Sequence, residues 1–218
     1  MSEVDRSASF AVNREVARRD FLKTAAWATA AISAAGIGGF GFAARRANAQ
    51  GEFETYLEAG DEGIVSLAYV LELLEGTFYQ MGVDMGTVSG NALVQIQAIA
   101  DAEFAHADAL AGILTEIGAE IPATPEFTFP DGVFEDTTAF LELGNTFEPV
   151  GIGAYQAAAP AIQNKEYLGP ALSIHSAECE HWNGIKILLG IDPPNTVAFE
   201  EALPLPVVQE AVAPFGVG

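Results

Sequence analysis

Two short stretches, "DAEFAHA" at 101–107 and "AECEHWN" at 177–183, each set a glutamate three residues before a histidine. At that spacing on a helix, Glu103 and His106 share one face, and so do Glu178 and His181. The chain has only 3 histidines, so two of the three sit in such a pair. A carboxylate beside an imidazole can ligate a metal or pass a proton. Either pair alone also fits a surface ion pair or a buried hydrogen bond, so the case for chemistry rests on the recurrence.

The recurrence extends beyond the pairs. "LELLEGTFY" places Glu72 seven residues before Tyr79, and "FEPVGIGAY" places Glu148 seven before Tyr155. Glu72 precedes Glu103 by 31 positions and Glu148 precedes Glu178 by 30. The chain therefore reads as a duplicated hairpin: Glu, Tyr at plus seven, then E-x-x-H on the partner helix. Glu103 lies three past Ala100 and Glu178 four past Ile174, on apolar stripes. Charges at core positions need compensation, because an unpaired buried charge costs several kcal/mol or more. Four carboxylates and two imidazoles suit a pair of metal ions. The oxygen-rich donor set points to iron or manganese, with iron slightly ahead, rather than to tetrahedral zinc.

Four segments with helical apolar spacing must position these groups: about 62–82, 91–118, 137–163 and 166–189. The long connection "AEIPATPEFTFPDGVFEDTTA" carries three prolines and an Asp-Gly, which break any helix. Short, long and short connections predict an all-α fold, an antiparallel four-helix bundle with a crossover between helices 2 and 3. The expected layout is an export signal over 1–49, a polar lead-in over 50–61, the bundle over 62–190, and a strap over 191–218 with one short helix near Pro206 to Val212.

These motifs resemble the ferritin-like superfamily, which includes ferritins, bacterioferritins, rubrerythrins and manganese catalases. "LELLEGTFY", "EPVGIGAY" and "VVQEAVAPF" look most like an exported ferritin-like group linked with desiccation or stress. The likeness spans roughly residues 60 to 213. It implies Glu72 and Glu148 as ligands from the first and third helices, Glu103 and Glu178 as bridging carboxylates, and His106 and His181 as terminal imidazoles. Tyr79 and Tyr155 would hydrogen-bond the ligand carboxylates and are the candidate catalytic side chains. The implied activity is oxidation or detoxification of peroxide, dioxygen or ferrous ion at a dinuclear centre. The alternative is a non-catalytic metal-binding or structural stress protein of the cell envelope. Glu75 shares a face with Glu72 and is expected to flank the ligands or reach solvent, or to exchange roles with Glu72. His175 is expected as a satisfied core histidine, and Pro149 as a kink beside the site.

Charge and targeting narrow the partners. Arg18 and Arg19 precede Phe21, Leu22 and Lys23, and an apolar Gly/Ala-rich run leads to an A-x-A site at Ala47 to Ala49. This predicts twin-arginine export, a route for folded and often cofactor-loaded proteins, to an extracellular, periplasmic or cell-surface location. A transmembrane helix is the weaker reading of the same run. Removing residues 1–49 takes seven of the 9 basic and four of the 30 acidic residues, leaving 2 against 26 and a net charge of about −24. That surface repels nucleic acid and anionic membranes, so metal ions and a small oxidant are the expected partners. A homo-oligomer stays open. Cys179, the only cysteine, allows no disulfide within one chain and is expected to pack as a small apolar residue.

Overall fold

The computed structural model describes residues 49–195 and 197–217. The expected export signal lies outside them except for Ala49. Among the described residues there is no strand. No helix among them is long and apolar enough to cross a membrane.

Four long helices follow in order: α1 (Ala49–Asp84), α2 (Gly90–Ile117), α3 (Thr137–Ala158) and α4 (Leu168–Leu188). A short α5 (Leu205–Val212) lies in the tail. The helix α1 packs against α2 and α3 against α4, while the crossover sets α1 beside α3 and brings α2 to α4. The result is two hairpins facing each other across one interior, an all-helical ferritin-like bundle.

Local chemistry sets most helix ends. The α2 helix stops at Gly118, whose left-handed backbone (φ 73°) directs its N–H to the carbonyls of Leu114 and Thr115. Asp136 caps α3 by accepting from the backbone N–H groups of Thr138 (2.7 Å) and Ala139 (3.0 Å). The third helix ends at Ala158 rather than near Gln163, and a 3-10 turn covers Ala159–Ala161. Pro160 accounts for the early stop, since it has no N–H to continue the α-helical hydrogen bonds, although Ala159 before it keeps right-handed helical geometry (φ −51°, ψ −46°).

The stretch 50–61, expected as a polar lead-in, belongs to α1 up to a break at Gly60 (φ 67°, ψ 179°). A left-handed φ of this kind is one glycine adopts at no steric cost. Ahead of the break, Tyr56 is buried and donates its hydroxyl to the Leu203 carbonyl of the tail (3.2 Å). Just after it, Asp61 accepts from the backbone N–H groups of Gln163 and Asn164, both at 2.7 Å. Polarity hid a segment that one buried tyrosine anchors.

An aromatic cluster fills one end of the bundle. Phe78 stacks on Phe140 (4.6 Å between centroids) and meets Phe147 edge-on (5.0 Å). The crossover adds Phe129 and Phe134 to the same cluster. A Cβ on Gly82 would overlap the Phe140 ring, so the close approach of α1 to α3 requires glycine there. The tail closes the same end: Phe215 packs edge-on against Phe147 (4.7 Å), and its carbonyl accepts from Thr128 N–H (3.1 Å).

Candidate metal centre

The duplicated residues converge midway along the four helices. Glu72 is carried by α1, Glu103 and His106 by α2, Glu148 by α3, and Glu178 and His181 by α4. The four carboxylates are at most 1% exposed and His181 is 8% exposed. Helical periodicity turns each of these positions inward. Pro149 does not interrupt α3, which runs continuously from Thr137 to Ala158 with Glu148 fully buried.

The donors fall into two overlapping groups. Glu72, Glu103, His106 and Glu178 can offer one atom each within 4.8 Å of one another, and so can Glu103, Glu148, Glu178 and His181. Glu103 and Glu178 are common to both. Each group that could hold a metal ion also has one carboxylate and one imidazole of its own. Both histidines turn Nδ1 to the acids. His106 Nδ1 lies 3.0 Å from Glu72 Oε2, 3.2 Å from Glu103 Oε2 and 3.4 Å from Glu178 Oε1. Donors held at about 2.1 Å by one octahedral cation sit roughly 3 Å apart, so this spacing fits a common ion.

Unpartnered atoms provide an independent test of fit. Glu103 Oε1, Glu148 Oε2, both oxygens of Glu178 and His181 Nδ1 are buried without a hydrogen bond. His181 Nδ1 and Glu103 Oε1 are only 2.8 Å apart but are not aligned for hydrogen bonding. Buried polar atoms are nearly always paired, so five such atoms in one cluster mark a place built for something that bonds to them. Oxygen and imidazole donors suit a metal cation.

The electrostatics agree. Burial pushes Glu103 up to about 8, with Glu72 adding to the shift and His106 opposing it. Burial also raises Glu178 to about 8, reinforced by Glu103 and Glu72. Glu148 is raised by burial and by Glu178 and Glu103. Burial opposes charge on His106, but the surrounding Glu103, Glu178 and Glu72 outweigh it and push that imidazole up to about 12. His181 is lowered, chiefly by burial. Without cations the cluster therefore holds protons, and a cation would take their place.

The two tyrosines cross between hairpins. Tyr155 of α3 donates to Glu72 Oε1 of α1 at 2.6 Å, and Tyr79 of α1 donates a short hydrogen bond to Glu148 Oε1 of α3. Each hairpin thus orients the other's unshared carboxylate. Burial raises both phenols, which keeps them as hydroxyl donors.

Three neighbouring residues differ from expectation or add to it. Glu75 is 4% exposed and packs against Gly151 across the interior, while Glu72 sits among the donors, so the two do not exchange roles. His175 is only partly buried, and its Nε2 has no hydrogen-bond partner, so it is not a satisfied core histidine. Trp182 adds polar contacts beside the site: its Nε1 donates to Asn145 Oδ1 (2.8 Å), and Lys186 Nζ lies 2.9 Å from its ring centroid.

Bundle, crossover and paired E-x-x-H sites define a ferritin-like protein. The family model described as a ferritin-like domain matches residues 60–190, and the chain belongs to that family. No curated protein matches the sequence.

Proposed function

We propose that the chain binds two iron or manganese ions at this centre and oxidises or detoxifies a small species, whether peroxide, dioxygen or ferrous ion, in stress defence outside the cytoplasm. The observation that supports this best is the pair of donor groups sharing Glu103 and Glu178, with five buried atoms unpartnered. Glu72 and His106 would hold one position, Glu148 and His181 the other. Redox-active ions held there would supply the electrons for reduction of an oxidant, with the ferrous ion or an external reductant restoring them.

The protein's own residues do the rest. Tyr155 and Tyr79 fix the unshared carboxylates through crossed hydrogen bonds. Burial of the donor residues keeps bulk water from competing for their oxygens. The twin-arginine pattern at Arg18 and Arg19 supports export after folding, with the centre loaded before exit.

The test is the metal content of protein purified without added metal, beside a Glu103→Ala/Glu178→Ala variant. Two iron or manganese ions per chain, lost in the variant, together with a peroxide- or dioxygen-dependent spectral change and turnover, is the expected result. Bound metal without turnover would leave a sequestering protein. No metal in either protein, with equal melting temperatures, would sink the proposal.

A further inference from the structure

The duplicated frame breaks at one position inside the centre. Glu72 corresponds to Glu148 and Tyr79 to Tyr155, so Glu75 corresponds to Gly151. One hairpin carries a fifth carboxylate where the other carries no side chain. The two positions also meet in space: a Cβ built on Gly151 would lie 3.4 Å from Glu75 Oε1 and 3.6 Å from Glu178 Oε2. The Glu75 carboxylate packs against this glycine, next to an oxygen of Glu178 that has no partner.

Glu75 is 96% buried, from an exposure of 4%. Among the described residues it makes no hydrogen bond and no ion pair. A core built only for stability gains nothing from this. An unpaired buried carboxylate destabilises, and an apolar side chain of the same size would pack there at no electrostatic cost. Beside the same glycine lies an unpartnered oxygen of Glu178, one of the carboxylates common to both donor groups.

We infer that Glu75 is a seventh metal-binding side chain, serving the position held by Glu148 and His181 and making the two positions unequal. This rests on the two-ion reading above. Placement decides which position it serves. Its carboxylate lies against α3 at Gly151, one turn past Glu148 on the same helix face. The position with Glu148 and His181 has three carboxylates and an imidazole within 4.8 Å of one another, with Glu75 just outside that group and a turn of its side chain away; the other has three carboxylates and an imidazole and no such neighbour. An additional anionic oxygen donor favours a divalent cation, so the ions load in order, the Glu148–His181 position first.

Titration of the metal-free full chain with Mn(II), following free Mn(II) by electron paramagnetic resonance, tests this. Wild-type protein should bind two ions in separate steps. Glu75→Gln keeps size and helix propensity; it should weaken the tighter step by roughly tenfold or more and leave the weaker one in place, drawing the two together. Glu72→Ala should spare the tight step, and Glu148→Ala should remove it. The exchange variant Glu75→Gly/Gly151→Glu moves the carboxylate to its repeat position and should make the Glu72–His106 position the tighter one. Circular dichroism confirms folding of each variant, and Glu75→Gln decides the matter even if the exchange variant does not fold. Two steps with wild-type affinities in Glu75→Gln would overturn this inference and leave the two-ion reading standing. Failure of the wild-type chain to bind Mn(II) or Fe(II) would overturn both.

Discussion

The hairpin α1–α2 and the hairpin α3–α4 present the same side chains in the same order, but their surroundings differ. In the first, Glu72 is held at both oxygens, by Tyr155 at 2.6 Å and by His106 at 3.0 Å. In the second, Glu148 is held at one oxygen by Tyr79, and its Oε2 has no partner. His106 is drawn toward protonation by three acids, while burial lowers His181. Glu75 faces Gly151 across the interior. Duplication supplied a symmetric set of donors, and a few substitutions around it made the halves unequal. Without a cation the second half carries four of the five orphaned atoms, Glu103 Oε1 being the one on the first, and has the greater need of one.

The strongest way to break the comparison is to remove what both halves share. Glu178→Ala takes an oxygen donor from both groups and should cost both ions, whereas Glu148→Ala or Glu72→Ala should cost one ion each. Elemental analysis after dialysis gives the count. Melting temperature with and without chelator gives the linked stability, because an ion that binds only the folded chain raises it. Retention of two ions by Glu178→Ala would show that the halves hold their ions independently.

Much of this was legible in the sequence. Apolar periodicity placed four helices because packing rewards a continuous inward stripe, and the E-x-x-H spacing fixed which side chains share that stripe. Other features depend on contacts between distant segments. The helical stretch before Gly60 looked like a polar leader because its anchor is Tyr56 reaching Leu203 in the tail. The crossing of Tyr79 and Tyr155 could not be read, since spacing within a hairpin does not say which hairpin a hydroxyl faces. The burial of Glu75 was hidden for the same reason, as it is set by contact with Gly151 on a distant helix.

A second prediction sharpens the contrast through pH. In the metal-free chain, Glu103 and Glu178 titrate near 8 when folded against an ordinary 4.5. The folded state therefore binds more protons than the unfolded chain between those values, and stability falls as pH rises through that window. His106, raised from 6.5 to about 12, adds a loss in the same direction above 6.5. His181, lowered, works the other way only below 6.5. Metal-free protein should melt roughly 10 °C lower at pH 8 than at pH 5, a shift that corresponds to a few kcal/mol. With Mn(II) in excess the trend should weaken or reverse, because deprotonation frees the donors. A melting temperature of the metal-free protein that rises from pH 5 to pH 8 would contradict the buried, proton-holding cluster.

The smallest effect, and the most diagnostic of how the halves are joined, lies in the tyrosines. Removing a hydrogen bond that orients a ligand typically costs about 10- to 100-fold in metal affinity. Tyr79→Phe should fall within that range because Tyr79 is the only hydrogen-bond partner of Glu148 among the described residues. Tyr155→Phe should cost less, since Glu72 keeps its contact with His106. The crossing can be read from a double-mutant cycle on metal affinity. If Tyr79 acts through Glu148 of the opposite hairpin, its loss should have little further effect once Glu148→Gln is present, but its full effect beside Glu72→Gln. The opposite pattern would place each tyrosine with the glutamate of its own helix, and the halves would then be two separate hairpins in contact rather than one interlocked centre.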